Sequence, residues 1–156
     1  MTVMFTDIVR STERMSELGD RRWRDLLDSH NAVMLKQIER YRGRAVKNTG
    51  DGFLATFDGP ARAIRCALTV GHEMHNFGIQ IRSGLHTGEV EIIGDDVGGI
   101  SVHTAARIMA SAGADEVRIS RIVRDLVAGS HFKFREQGTF QLRGIPGDWP
   151  LFVVEP

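Results

Sequence analysis

Two aspartates occupy positions where their carboxylates could bind divalent cations. Asp7 ends an apolar, strand-like segment, where burial of an unpaired carboxylate is unfavourable by several kcal/mol. Asp51 lies between Gly50 and Gly52, and flanking glycines let a backbone approach a bulky anion closely. Carboxylates that meet at strand ends can hold Mg²⁺ or Mn²⁺, which stabilise the attacking and leaving oxygens of a phosphoryl transfer. Each aspartate alone also has a structural interpretation, Asp7 as a helix cap and Asp51 as an ordinary turn residue.

Four further residues suit a phosphorylated substrate by type and spacing. Ser11 and Thr12 stand at the predicted start of a helix, where hydroxyls and backbone N–H groups bind phosphate. His103 and Arg107 are four residues apart on a predicted helix, so they share a face and can stabilise charge on a phosphoryl group. A solvated arginine beside a half-buried histidine is the structural alternative. The sequence contains no Walker A loop, GxGxxG motif or HExxH zinc motif.

The elements that must position these residues follow the order β-α-β-β-α-β, with more strands and helices after them. Residues 2–9 are predicted as a buried strand, and one long amphipathic helix runs from Ser11 to Gly43. A hairpin over 44–57 turns at 48–52, and a second helix runs from Pro60 to Gly78. The remaining predicted elements are strand 79–82 with hairpin partner 88–92, helix 99–113, strand 116–119, helix 121–128 capped by Ser120, and strands 132–135, 139–142 and 151–154. This order predicts an α+β fold, a mixed sheet with helices on one side.

Composition restricts the class of protein. The 156 residues carry 20 Lys+Arg and 20 Asp+Glu and are 42% hydrophobic, which suits one globular domain over 1–156. Formal neutrality argues against a broad nucleic-acid surface. The single cysteine, Cys66, cannot form an internal disulfide, and the sequence has neither a signal peptide nor an apolar run of the roughly 20 residues that span a bilayer. We therefore expect a cytoplasmic domain without a membrane segment, excised from a longer chain because it opens inside a strand.

Four stretches together resemble the signature motifs of class III nucleotidyl cyclases, most closely the bacterial, mycobacterial-like branch. They are residues 5–12 (FTDIVRST), 47–52 (KNTGDG), 96–107 (DVGGISVHTAAR) and 142–144 (LRG), the last similar to the family's Leu-Lys-Gly. The resemblance covers the chain in order. It implies a ferredoxin-like βαββαβ core with appended elements, and a head-to-tail homodimer with two composite active sites.

The resemblance also implies roles for individual residues. Asp7, Asp51 and the Ile8 carbonyl would hold two Mg²⁺ or Mn²⁺ ions in each active site. The other implied roles belong to Lys47 and Asp96, which would read the base; to Arg107, which would stabilise the transition state; and to Arg143, which would hold the terminal phosphates.

The base-reading pair predicts the substrate. Adenine presents a hydrogen-bond acceptor at N1 and a donor at N6, which a Lys47 donor and an Asp96 acceptor complement. Guanine has a protonated N1 and a carbonyl at position 6, so the lysine donor would meet another donor. The expected reaction is conversion of ATP to 3′,5′-cyclic AMP and pyrophosphate. His103 stands where most family members have a ribose-orienting asparagine. The alternatives are a guanylate or dual-specificity cyclase, and a catalytically weak cyclase-like module that binds nucleotide or a partner.

Overall fold

All residues, 1–156, are described by the computed structural model, which contains nine strands and five α-helices. The strands are β1 (Thr2–Ile8), β2 (Arg44–Asn48), β3 (Gly52–Phe57), β4 (Ile81–Thr87), β5 (Glu91–Ile93), β6 (Asp96–Gly98), β7 (Val117–Ser120), β8 (Phe134–Phe140) and β9 (Trp149–Val154). The helices are α1 (Ser11–Leu18), α2 (Asp20–Arg40), α3 (Pro60–Met74), α4 (Ile100–Ser111) and α5 (Arg121–Leu126), with a turn of 3₁₀ helix at His75–Phe77. No helix is both long enough and apolar enough to cross a bilayer.

Seven strands form one mixed sheet in the order β2-β3-β1-β4-β7-β9-β8. Strands β4 and β7 are parallel, and every other neighbouring pair is antiparallel. The first four strands in space, β2-β3-β1-β4, have the arrangement of a ferredoxin-like βαββαβ unit, and the later strands extend the sheet from β4. The predicted α+β class and ferredoxin-like core are confirmed.

The two faces of the sheet are covered by different helices. Helices α2, α3 and α5 pack on one face, where their apolar side chains join Met4, Phe53 and Leu85 in the larger core. The expected placement of helices on one side of the sheet holds for these three helices. Helix α4 lies on the opposite face, directly over Gly84, where an added Cβ would be 2.7 Å from the Ala105 carbonyl oxygen. Glycine at this position lets a helix that carries candidate site residues lie against the sheet.

The predicted long first helix is wrong in one respect, because the chain breaks it at Gly19. Helix α1 ends at Leu18, and the Gly19 N–H donates to the Met15 carbonyl oxygen. Gly19 then adopts φ +80° and ψ 166°, a conformation available to glycine and not to a helix, and α2 starts at Asp20. Two helices replace the continuous one.

Two strand predictions are also corrected. Residues 88–92 do not pair with β4, because β1 and β7 already occupy both edges of that strand. Strand β5 pairs with β6 instead, in a separate two-stranded ribbon. Near the C-terminus, the two strands predicted at 132–135 and 139–142 are one strand, β8, whose register on β9 shifts between Glu136 and Gly138. The bulge hides the continuity of β8 from the hydrophobic pattern.

The single cysteine lies on the buried face of α3. Cys66 is 0% exposed, and burial raises the pKa of its thiol to about 12. A thiol with so high a pKa is protonated at neutral pH and is inert as a nucleophile. Cys66 is therefore a small core residue and plays no part in the site.

Candidate active site

Asp7 is held by a bidentate ion pair at the open end of β1. In the two antiparallel registers it lies opposite Gly52 on β3 and Arg82 on β4. Arg82 Nε donates to Asp7 Oδ1 at 2.7 Å, and Arg82 Nη2 donates to Oδ2 at 3.0 Å. Arg82 Nη1 also donates to the Ala110 carbonyl oxygen at 3.0 Å, at the end of α4. One guanidinium thus joins Asp7 to the helix on that face.

Asp51 is brought beside β1 by the turn that precedes β3. Its backbone carbonyl accepts a hydrogen bond from the Ile8 N–H at 2.9 Å. Gly52 permits this approach, because an added Cβ would overlap the Thr6 carbonyl oxygen. Hydrogen bonding to Asp7 raises the pKa of Arg82, partial burial opposes the rise, and the charges of Asp7 and Asp51 add to it. Both carboxylates therefore act on the same guanidinium group.

The segment after Asp7 leads into α1 beside a cavity. The helix starts at Ser11, and its cap is Arg10 in the left-handed conformation (φ 55°), without a side-chain cap. Ser11 and Thr12 are therefore not caps, because both are helical residues in the first turn. Their side chains line a cavity of about 370 Å³ together with Asp51 and other residues of the 49–51 turn. Hydroxyls, a helix N-terminus and a carboxylate share this cavity.

Lys47 and Asp96 form a second ion pair, between β2 and the start of β6. Lys47 Nζ donates to Asp96 Oδ2 at 3.0 Å, and the Val97 N–H donates to Oδ1 at 2.8 Å. The hydrogen bond from Lys47 lowers the pKa of Asp96, with a smaller contribution from the Val97 N–H. About half of each side chain is exposed. A donor and an acceptor are thus presented together to a molecule that approaches from solvent.

His103 and Arg107 lie on the exposed face of α4. Arg107 Nε donates to the Arg143 carbonyl oxygen at 3.1 Å, which ties α4 to the loop between β8 and β9. Arg107 and Arg143 therefore lie in one region of the surface. Neither His103 nor Arg107 forms a hydrogen bond or an ion pair with Asp7 or Asp51 within the chain.

Two residues near the carboxylates are not among the site residues predicted from the sequence. Arg82 escapes notice because an arginine at the end of an alternating strand resembles a solvent-facing residue, and only the β1–β4 register brings it to Asp7. His30 on α2 is fully buried; burial lowers its pKa, whereas a hydrogen bond with Asn31 and the charge of Asp51 act in the opposite direction. Its position in the apolar stripe of α2 gave no signal of a carboxylate nearby.

The donor set fits a divalent cation that prefers oxygen. Nowhere do three or more His, Cys, Asp or Glu side chains gather as a preformed metal cluster. The protein offers the carboxylates of Asp7 and Asp51 and the backbone carbonyl of Ile8, the residue whose N–H donates to the Asp51 carbonyl. Mg²⁺ is commonly held in this way, by one or two carboxylates with water and substrate phosphates completing its shell.

Comparison with known proteins gives consistent results. The family described as the adenylate and guanylate cyclase catalytic domain matches residues 1–156. A protein of Rhizobium meliloti named "Putative adenylate cyclase 3" is 28% identical over 144 residues, 86% of this chain and 23% of that protein. The chain spans between 16% and 44% of the lengths of the curated relatives it matches.

Solved structures share the fold over nearly the whole chain. The adenylyl cyclase CyaB from P. aeruginosa superposes with a TM-score of 0.89 at 22% identity, covering 99% of this chain and 93% of that one. The guanylate cyclase domain of RhGC from Catenaria anguillulae, in complex with GTP, gives 0.87 at 22% identity, covering 99% and 94%. The chain therefore belongs to the family of adenylate and guanylate cyclase catalytic domains, the class III nucleotidyl cyclases.

Proposed function

We propose that this domain is an adenylate cyclase, which converts ATP to 3′,5′-cyclic AMP and pyrophosphate. The observation that carries the choice of ATP is the Lys47–Asp96 pair, with Nζ and Oδ2 3.0 Å apart. Adenine presents an acceptor at N1 and a donor at N6, which a lysine and a carboxylate complement. Guanine presents a protonated N1 and a carbonyl at position 6, so the same pair would leave polar groups unmatched.

The two carboxylates give the site its proposed metal dependence. Asp7, Asp51 and the Ile8 carbonyl would hold two Mg²⁺ or Mn²⁺ ions. When bound, such ions lower the pKa of the ribose 3′-hydroxyl and neutralise charge on the triphosphate. The N-terminus of α1 and the hydroxyls of Ser11 and Thr12 suit phosphate oxygens, because both line the cavity beside Asp51.

The remaining residues act on the substrate during the displacement. The 3′-hydroxyl gives its proton to solvent, and its oxygen attacks the α-phosphorus in line. The bond from the α-phosphorus to the bridging oxygen breaks as pyrophosphate leaves, so no covalent enzyme intermediate is needed. Arg107 stabilises the charge that develops on the phosphoryl group, and Arg143 binds the terminal phosphates with a planar, bidentate cation. His103 orients the ribose by donating a hydrogen bond.

We infer that these residues come from two chains. Asp7 and Asp51 form no ion pair or hydrogen bond with His103 or Arg107 of the same chain, which supports a homodimer with two composite sites. Each site would combine the carboxylates of one protomer with the partner's Arg107. The domain is assigned to the cytoplasm, where ATP and a reduced Cys66 are both expected.

One assay tests the reaction. The purified domain is incubated with ATP or GTP and with Mg²⁺ or Mn²⁺, and cyclic AMP and cyclic GMP are measured. We expect cyclic AMP only when a divalent cation is present, and a preference for ATP over GTP. Preferential formation of cyclic GMP would support the guanylate cyclase alternative. Nucleotide binding without turnover would support the catalytically weak cyclase-like module, the alternative that is favoured by His103 in place of the usual asparagine.

A second assay tests the composite site. Asp51→Ala and Arg107→Ala homodimers should both be inactive. Random exchange of equal amounts makes about half the dimers mixed, each with one intact site, so activity should recover to about a quarter of the parent's. A site contained in one protomer predicts no recovery at any ratio, once exchange is verified by native mass spectrometry.

A further inference from the structure

We propose that Arg82 is a displaceable counter-ion of Asp7, so that a divalent cation binds Asp7 only when the guanidinium group releases it, and that this release is coupled to the end of α4. The inference rests on the proposed function, since it takes Asp7 as a metal ligand. It concerns a positioning residue that acts through Asp7, in the state of the protein before nucleotide binds.

The ion pair occupies the carboxylate that the metal needs. Both Asp7 oxygens accept a hydrogen bond from Arg82, at 2.7 and 3.0 Å. The Asp7 side chain is only 19% exposed, so little of the carboxylate is left open for a hydrated ion. A cation at the usual 2.0–2.1 Å from a carboxylate oxygen would lie beside the positive guanidinium, and the two like charges repel each other. Guanidinium and metal therefore compete for Asp7.

The structure also contains a place that retains the displaced guanidinium. Arg82 Nη1 donates to the Ala110 carbonyl oxygen at 3.0 Å and lies 3.5 Å from that of Ala112. These carbonyls end α4, where the helix dipole is negative and favours a cation. Arg82 can leave Asp7 without leaving this end of α4. The same helix carries His103 and Arg107, so Arg82 contacts the helix on which both candidate site residues lie.

Metal affinity without nucleotide provides the test. In Arg82→Gln the side chain keeps a hydrogen-bonding amide but loses its charge. The matched control is Arg65→Gln on α3, the helix that covers the face of the sheet opposite to α4. Free Mn²⁺ is measured by electron paramagnetic resonance during titration of each protein. We expect Arg82→Gln to bind Mn²⁺ about tenfold more tightly than the parent, because a repelling charge is gone, and Arg65→Gln to bind as the parent does. Equal or weaker binding by folded Arg82→Gln overturns the proposal.

A measurement on the unaltered protein covers the case in which Arg82→Gln does not fold. The Arg82 Nε–H should give a slowly exchanging, downfield ¹⁵N–¹H resonance, because it donates to a carboxylate at short distance. Saturating Mg²⁺ should move this resonance upfield and speed its exchange, and an unchanged signal contradicts the proposal. Absence of Mn²⁺ binding by both the parent and folded Arg82→Gln would instead refute the metal assignment itself, and the proposal with it.

Discussion

Replacement of Gly52 with alanine tests whether strand contact holds the two carboxylates together. Gly52 pairs with Asp7 across β1 and β3, and it follows Asp51 directly. An alanine Cβ would overlap the Thr6 carbonyl oxygen and would lie 2.7 Å from the Thr6 carbonyl carbon and 2.9 Å from Asp7 Cα. All three atoms belong to the backbone, so no side-chain rotation relieves the clash, and the strands must separate.

The size of the effect follows from that geometry. Overpacking a tight site by one carbon typically costs about 1–3 kcal/mol, and a backbone clash belongs at the upper end, about 3 kcal/mol. For a domain of this size, each kcal/mol shifts Tm by about 2–4 °C, so Gly52→Ala should lower Tm by about 6–12 °C. Because Asp51 moves away from Asp7, cyclase activity at a temperature where the variant is folded should also fall.

Calorimetry and a cyclic AMP assay on two alanine variants decide the matter. Gly71→Ala on α3 is the control, because an added Cβ there meets nothing within 4 Å. That change should raise stability by about 0.5–1 kcal/mol, the usual gain of alanine over glycine in a helix. A Gly52→Ala protein with the parent's Tm and activity would refute the argument from strand contact.

Three further changes have defined outcomes. Asp51→Ala should abolish cyclic AMP formation while leaving Tm within about 2 °C, since the residue lies in a turn; a folded variant with near-parental turnover would contradict the metal assignment. Lys47→Glu combined with Asp96→Ser should move the kcat/KM ratio from ATP toward GTP by about one to two decades, and an unchanged preference would mean that the pair does not contact the base. Burial lowers the pKa of His86 from 6.5 to about 4. As pH falls through this range, the unfolded state takes up a proton on His86 before the folded state does. The free energy of unfolding therefore decreases between pH 6.5 and 4, by up to about 3 kcal/mol. Thermal melts from pH 7 to 4.5 should therefore be less pH-dependent in His86→Gln, and parallel slopes for variant and parent would refute this.

Local signals were enough to predict the parts of the site that lie close together in sequence. The turn at 48–52 carries its own glycines, so the hairpin that presents Asp51 follows from residue types alone. The four-residue spacing of His103 and Arg107 likewise places them on one face of α4 once a helix is assumed. In each case, chain neighbours determine the geometry.

The errors arise where a local pattern is ambiguous or where distant segments determine the structure. The break at Gly19 is not marked by proline, and one glycine inside an amphipathic pattern is often tolerated in a helix. The β5–β6 ribbon depends on β4 already having two partners, which is a property of the whole sheet. Arg82 belongs to the site only through a strand register spanning 75 residues of sequence, and no short pattern contains that information.

Because Cys66 is buried, the native chain should not react with thiol reagents. Its thiol is inaccessible, protonated at neutral pH and alone in the sequence. A cysteine introduced elsewhere would thus be the single reactive site, with no need to remove the natural one and disturb the packing of α3. Ile93 on the ribbon is 59% exposed and suits such a substitution. A spin label or fluorophore attached there would report on the surroundings of the ribbon that carries Asp96, without a background signal.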